Sequence, residues 1–115
     1  MAETRFTPLT DVAGLDDLLT RSHDAPVVLF LHDFSCPISA RAHREMQRLP
    51  DEARAAITLV DVGQAHAVKR AVEERTGVRH ESPQVILLRG GAAVWDASHF
   101  AITAKEVSGA LATNA

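Results

Sequence analysis

The sequence of 115 residues is poor in cysteine and in aromatic residues, with one cysteine, one tryptophan, four phenylalanines and no tyrosine. A single cysteine excludes an internal disulfide, so the fold must be held by its core and the thiol is free for chemistry. No apolar run approaches the ~20 residues of a membrane span. The net charge of −3 comes from mixed rather than clustered charges. We therefore expect neither a membrane nor a nucleic-acid partner.

Apolar residues make up 46% of the sequence and charged residues 23%, which is typical of a globular protein. A chain of this length usually forms one domain, and we expect a single domain over residues 1–115. The first ten residues, "MAETRFTPLT", have neither the basic start nor the apolar centre of a secretion signal. We therefore expect a cytoplasmic location.

Hydrophobic spacing predicts alternating helices and strands. Helical patterns run from a cap at Thr10 or Asp11 to about Ser22, from Cys36 to just before Pro50, from about Ala65 to Gly77, and onward from a capping box at Thr103 and Glu106. Strand patterns are Pro26–His32, Ile57–Val62, and "QVILLR" and "AAVWDAS", which are separated by a turn at Gly90-Gly91. The order αβαβαββα predicts an α/β fold with a mixed central sheet of about four strands and helices on both faces.

The cysteine lies in "FLHDFSCPISARAH", Phe30–His43, between a buried strand and a helix. The thiolate is the nucleophile, and a free cysteine with a pKa of ~8.5 is mostly protonated at neutral pH. Unpaired N–H groups and the macrodipole at a helix start favour the thiolate of an N-cap cysteine, and Pro37 suits the first helical position. We therefore predict that Cys36 is reactive, although a lone cysteine is more often a small buried apolar residue.

Ser39 stands one helical turn beyond Cys36, where a second cysteine would complete a redox pair. Its hydroxyl is predicted to approach the sulfur and donate a hydrogen bond to the thiolate. The alternative is a solvent-facing helix residue. Because serine cannot close a disulfide, a mixed disulfide on Cys36 would persist until another thiol arrives.

The element order is that of the thioredoxin fold, and two motifs extend this resemblance. "SCPIS" stands where that superfamily keeps its Cys-x-x-Cys, and "ESPQVILL", Glu81–Leu88, looks like the segment in which a cis proline precedes the third strand. With "GGAAVWDASHFAIT", the chain resembles the monothiol bacilliredoxins, thioredoxin-like proteins of the bacillithiol system, from the first helix to Thr103. It departs from that family at "HDFS", which replaces a more hydroxyl-rich stretch.

The resemblance implies a thiol–disulfide oxidoreductase that removes bacillithiol from S-bacillithiolated proteins through a mixed disulfide on Cys36, as part of thiol redox homeostasis. It implies no permanently bound cofactor, bacillithiol as co-substrate and a regenerating reductase. Pro83 would be cis, whereas a proline that begins a strand is usually trans. The backbone of Ser82 would pair with the bound substrate. A carrier of an iron–sulfur cluster and a binding module with an incidental thiol stay open as alternatives.

Several other polar and aromatic residues each allow two interpretations. The six histidines lack the spacing of a metal site, and we predict none. His32 is either a general base for Cys36 or the polar end of a strand. Asp61 is either a proton relay or a strand-end cap, and the cap is favoured. We expect Trp95 to anchor the core rather than to stack on a ligand.

Overall fold

A computed structural model describes residues 6–54 and 57–115, which form a mixed five-stranded sheet with helices on both faces. The strands are β1 (Thr7–Pro8), β2 (Val27–His32), β3 (Ile57–Asp61), β4 (Gln84–Arg89) and β5 (Ala92–Ser98). The helices are α1 (Val12–Arg21), α2 (Pro37–Gln47), α3 (Asp51–Arg54), α4 (His66–Thr76) and α5 (Ala104–Thr113), and a 3-10 turn covers His99–Ala101. The predicted α/β class is confirmed.

The strands lie in the order β1-β3-β2-β4-β5. β1, β3 and β2 are parallel, as βαβ crossovers require, while β4 and β5 form the antiparallel hairpin. The sequence did not predict β1, which has two residues and one of them is proline. It lies at the sheet edge, where a proline without an N–H is tolerated, and Thr7 pairs with Thr58 of β3.

β2 is the centre of the molecule, and all six of its residues are buried. Its alternate side chains enter two cores, one on each face of the sheet. Leu29 and Leu31 pack in the core covered by α1 and α4, and Val28 and Phe30 in the core covered by α2 and α5. A strand buried on both faces must be apolar throughout, which explains the continuous run in the sequence.

Local signals fix the helix and turn positions. Asp11, rather than Thr10, caps α1 by accepting a hydrogen bond from the Gly14 N–H at 2.8 Å. Thr103 caps α5 in the predicted way, accepting from the Glu106 N–H at 3.2 Å. Gly91 completes the β4–β5 turn with a φ of 81°, which favours glycine.

No helix among residues 6–54 and 57–115 is both long enough and apolar enough to cross a membrane. In the same part of the chain, no cluster of three or more His, Cys, Asp or Glu side chains is arranged to hold a metal ion.

Candidate active site

Cys36 is a half-buried free thiol at the N-cap of α2. Its backbone is extended, its N–H donates to the Asp33 carbonyl at 3.1 Å, and its carbonyl accepts from the Ala40 N–H at 3.0 Å. Its side chain makes no capping hydrogen bond, and Pro37 occupies the first helical position. The sulfur is therefore not in packed hydrocarbon. It stands where the first turn of a helix leaves N–H groups without carbonyl partners.

Ser39 is fully buried, so the solvent-facing alternative is wrong. Its hydroxyl oxygen accepts a hydrogen bond from the Asp33 N–H at 3.2 Å. Within the described residues this loop amide, and not the sulfur of Cys36, is the hydrogen-bond partner of the hydroxyl, which corrects the prediction. Ser39 therefore holds the loop that carries the cysteine. The reason is that the loop turns back over the helix start and presents an N–H that needs an acceptor.

The loop between β2 and Cys36 is held in a tight turn by hydrogen bonds to the Asp33 side chain. The Asp33 carboxylate accepts from the backbone N–H of Ser35 at 2.9 Å and from its hydroxyl at 2.7 Å. These two hydrogen bonds lower the pKa of Asp33, because both stabilise the ionised form. The segment that departs from the family pattern is thus a compact turn fixed by its own side chains.

His32, at the end of β2, is 3% exposed and belongs to an aromatic cluster that we define as Phe6, Phe30, His32, Phe34 and His43. Its ring meets that of Phe34 edge-on with the centroids 4.3 Å apart. Its Nδ1 is buried and has no hydrogen-bond partner within the described part of the chain.

Burial, followed by the charge of His43, lowers the pKa of His32 from 6.5 to about 4, against the weaker opposing effects of Asp61 and Asp33. The imidazole is therefore neutral at physiological pH. It is also a poor acceptor for a proton from a thiol, whose usual pKa is ~8.5. This geometry favours the polar strand end over the general base.

His43 was not singled out from the sequence, although it lies on α2 within the cluster. Its ring centroid is 5.0 Å from that of His32 and 5.2 Å from that of Phe6, and burial lowers its pKa. Phe34 was missed as well. It is 65% exposed, so it covers His32 with one face and gives the loop before Cys36 an apolar outer surface.

Asp61 ends β3 beside His32, its register partner on β2. Its carboxylate accepts from the Gly63 N–H at 3.0 Å, and its backbone carbonyl accepts from Gln64 and Ala65. These contacts are those of a strand-end cap, the interpretation that the sequence favoured.

The Ser82–Pro83 peptide bond is cis, and Pro83 is buried. The Pro83 carbonyl accepts from the His99 N–H at 3.0 Å, which joins this loop to the 3-10 turn. Ser82 precedes β4 and has no place in its ladder with either neighbouring strand. Its hydroxyl oxygen is buried and has no hydrogen-bond partner among the residues that the structure describes. Trp95 is half-buried and packs against the core covered by α2 and α5, as expected of an anchor.

The family model of the monothiol bacilliredoxin BrxC matches residues 7–107. The chain belongs to the monothiol bacilliredoxin family. This membership, together with the fold and the single thiol, makes it a thiol–disulfide oxidoreductase.

Solved structures share the fold. A thioredoxin-fold protein proposed to be an oxidoreductase has a TM-score of 0.81 at 24% identity, over 90% of this chain and 91% of the other. Thioredoxin from Fasciola hepatica has a TM-score of 0.75 at 14% identity, over 96% and 100%. A thioredoxin mutant from Halobacterium salinarum has a TM-score of 0.74 at 17% identity, over 99% and 94%. At these identities the similarity establishes the architecture.

Proposed function

We propose that this bacilliredoxin removes bacillithiol from S-bacillithiolated proteins and carries it as a mixed disulfide on Cys36. The observation that supports this most directly is the site itself: a half-buried free thiol at the start of α2, with serine in the position of a resolving cysteine. Such a site accepts an adduct but has no internal thiol with which to release it.

The reaction is a disulfide exchange in two steps. The Cys36 thiolate attacks the bacillithiol sulfur, so the bond between that sulfur and the target protein breaks as the Cys36–bacillithiol bond forms. The target leaves as a thiolate, which takes a proton from water. A second bacillithiol thiolate, or a thiolate of a reductase, then attacks the bacillithiol sulfur of the adduct. A new disulfide forms on that sulfur as its bond to Cys36 breaks, and Cys36 leaves as a thiolate. No resident cofactor is needed, and the cytoplasm, where thiols are kept reduced, is the compartment that suits this cycle.

Recognition of the target uses the loop that ends at Pro83. Because Ser82 lies outside the ladder of β4, its N–H and C=O serve as a short edge for an extended segment of the target protein. The exposed ring of Phe34, two residues before Cys36, supplies apolar contact to the same target segment. Pro37 starts the helix without an N–H that would need an acceptor.

The test offers a bacillithiolated protein to the wild type and to Cys36→Ser and follows both proteins by intact mass. We expect the adduct to move to the wild-type chain and to stay on the target with the variant. Equal loss of the adduct with both would refute the proposal. A variant that functions normally in the cell would instead favour a binding module with an incidental thiol.

Ser39→Cys provides a matched second variant. The new thiolate should attack the Cys36 adduct, release bacillithiol and leave an internal disulfide, so the long-lived adduct of the wild type should disappear. An adduct of unchanged lifetime in this variant would show that the serine position does not set the fate of the mixed disulfide.

A further inference from the structure

Arg41 on α2 is a cation without a carboxylate partner among the residues that the structure describes. Its guanidinium carbon lies 5.3 Å from the centre of the Phe100 ring. Its Nη1 is buried and makes no hydrogen bond with any residue of 6–54 or 57–115. The ring face attracts the cation but offers no oxygen acceptor, so the donors of the guanidinium are largely unused.

Two acidic side chains, Glu45 and Glu81, are already engaged by other groups. Glu45, one turn further along α2, accepts from the Ala104 N–H at 2.9 Å through one oxygen and from Arg48 at 3.1 Å through the other. Glu81 faces the 3-10 turn, and its oxygen lies 3.6 Å from the His99 ring nitrogen. The hydrogen bond from Ala104 lowers the pKa of Glu45, and the charges of Arg48 and Arg41 lower it further, so Glu45 balances part of the charge of Arg41. Among the described residues, however, no hydrogen bond joins the Glu45 carboxylate to the Arg41 guanidinium.

Arg41 and Phe100 belong to α2 and the 3-10 turn, two elements that pack together next to the Pro83 loop. Arg41 is four residues after Pro37, so the two share a face of the helix, and helical side chains lean toward the N-terminus. Phe100 follows His99, whose N–H is bonded to the Pro83 carbonyl, and the 3-10 turn packs on α2. The guanidinium thus lies at the rim between the helix start and the Pro83 loop. Phe100 is 62% exposed, so this rim is open to a ligand.

We propose that Arg41 binds an anionic group, a carboxylate, of the small thiol that is transferred to Cys36, and that Phe100 holds the guanidinium in place for it. The substrate class is then a low-molecular-weight thiol that bears a carboxylate. The inference rests on the proposed function, because it concerns the adduct carried in that reaction. A planar guanidinium suits this role, since it can pair with a carboxylate through two parallel hydrogen bonds.

The test uses two adducts that differ by one carboxylate. A carrier protein with a single cysteine is modified with either cysteine or cysteamine, and single-turnover transfer to Cys36 is followed by quenched intact mass. We expect the wild type to take the cysteine adduct about five- to tenfold faster, the size of a charged hydrogen bond at a half-exposed site. Arg41→Gln should bring this ratio to about one without slowing the cysteamine adduct. Arg44→Gln, on the same helix and exposed, should keep the wild-type ratio.

A second measurement needs no variant. Raising the salt concentration to ~1 M should bring the wild-type ratio toward one, because it screens the charge pair. A wild-type ratio of about one, a ratio that salt does not change, or an Arg41→Gln ratio equal to that of the wild type would overturn the inference while transfer itself continued. Failure of the wild type to take any adduct, the bacillithiol adduct included, would instead refute the proposed function and this inference with it.

Discussion

Replacing His32 with phenylalanine should remove an acid-dependent loss of stability. The imidazole is buried, and its pKa is lowered from 6.5 to about 4 by burial and by His43. Between these two pH values the unfolded chain binds a proton that the folded chain does not. Above pH ~6.5 the imidazole is neutral in both states and does not change the free energy of unfolding. As the pH falls from ~6.5 toward ~4, the free energy of unfolding decreases, because the unfolded chain binds the proton more readily. A pKa difference of this size corresponds to about 3 kcal/mol.

The phenylalanine ring keeps the contacts with Phe30 and Phe34 and removes Nδ1, a buried nitrogen without a partner in residues 6–54 and 57–115. Because the ring of His32 forms no hydrogen bond with the described residues, we expect the variant to be at least as stable as the wild type at pH ~7. The free energy of unfolding in urea, measured from about pH 7 to about pH 4.5, should then fall less steeply for the variant. Carboxylates titrate in both proteins, so the difference between them isolates His32.

The comparison variant is His66→Phe, the same substitution at an exposed imidazole on α4, which shows what losing a histidine outside the core does to the free energy of unfolding. His43→Phe should change the pH dependence in the same direction as His32→Phe, because burial lowers the pKa of His43 as well. A constant difference between His32→Phe and the wild type across this pH range would refute the reasoning. The imidazole would then titrate alike in the folded and unfolded chains.

Two further predictions concern stability. Ser39→Ala leaves the Asp33 N–H without its acceptor and should lower the free energy of unfolding in urea by about 1–3 kcal/mol, and a change below about 0.5 kcal/mol would argue against this support. Gly91→Ala should lower the melting temperature, because φ is 81° and the new Cβ would lie 2.8 Å from the His23 ring, whereas Gly109→Ala, in open space on α5, should stabilise by about 0.5–1 kcal/mol. The opposite order of these two glycine variants would contradict the explanation.

Much of the fold follows from local chemistry. The continuous apolar run of β2 could be buried only between two covered faces, and Thr103 marks the start of α5 because its side chain accepts from the Glu106 N–H. Pro37 and Cys36 together indicate a helix that begins at the sulfur, and α2 begins there. Signals of this kind are contained within a few residues, so one sequence is enough to read them.

The parts that escaped prediction depend on distant segments. Helical spacing put Ser39 near Cys36, but its partner is decided by how the loop at Asp33 turns back. The aromatic cluster joins residues of the N-terminal segment, β2, the loop after it and α2, and no local pattern connects these four. β1 has only two residues, and it is a strand only because it pairs with β3. In each case tertiary contact supplies the information.

Complete burial of β2 has a consequence for motion. Backbone amides in a central strand exchange with solvent only through the largest openings of a domain, whereas edge elements exchange through small local ones. The loop with the reactive sulfur begins where β2 ends, while two-residue β1 lies at the margin of the sheet. The loop that carries Cys36 is therefore attached to the strand that opens least often, and local opening of the edge strand β1 does not disturb it.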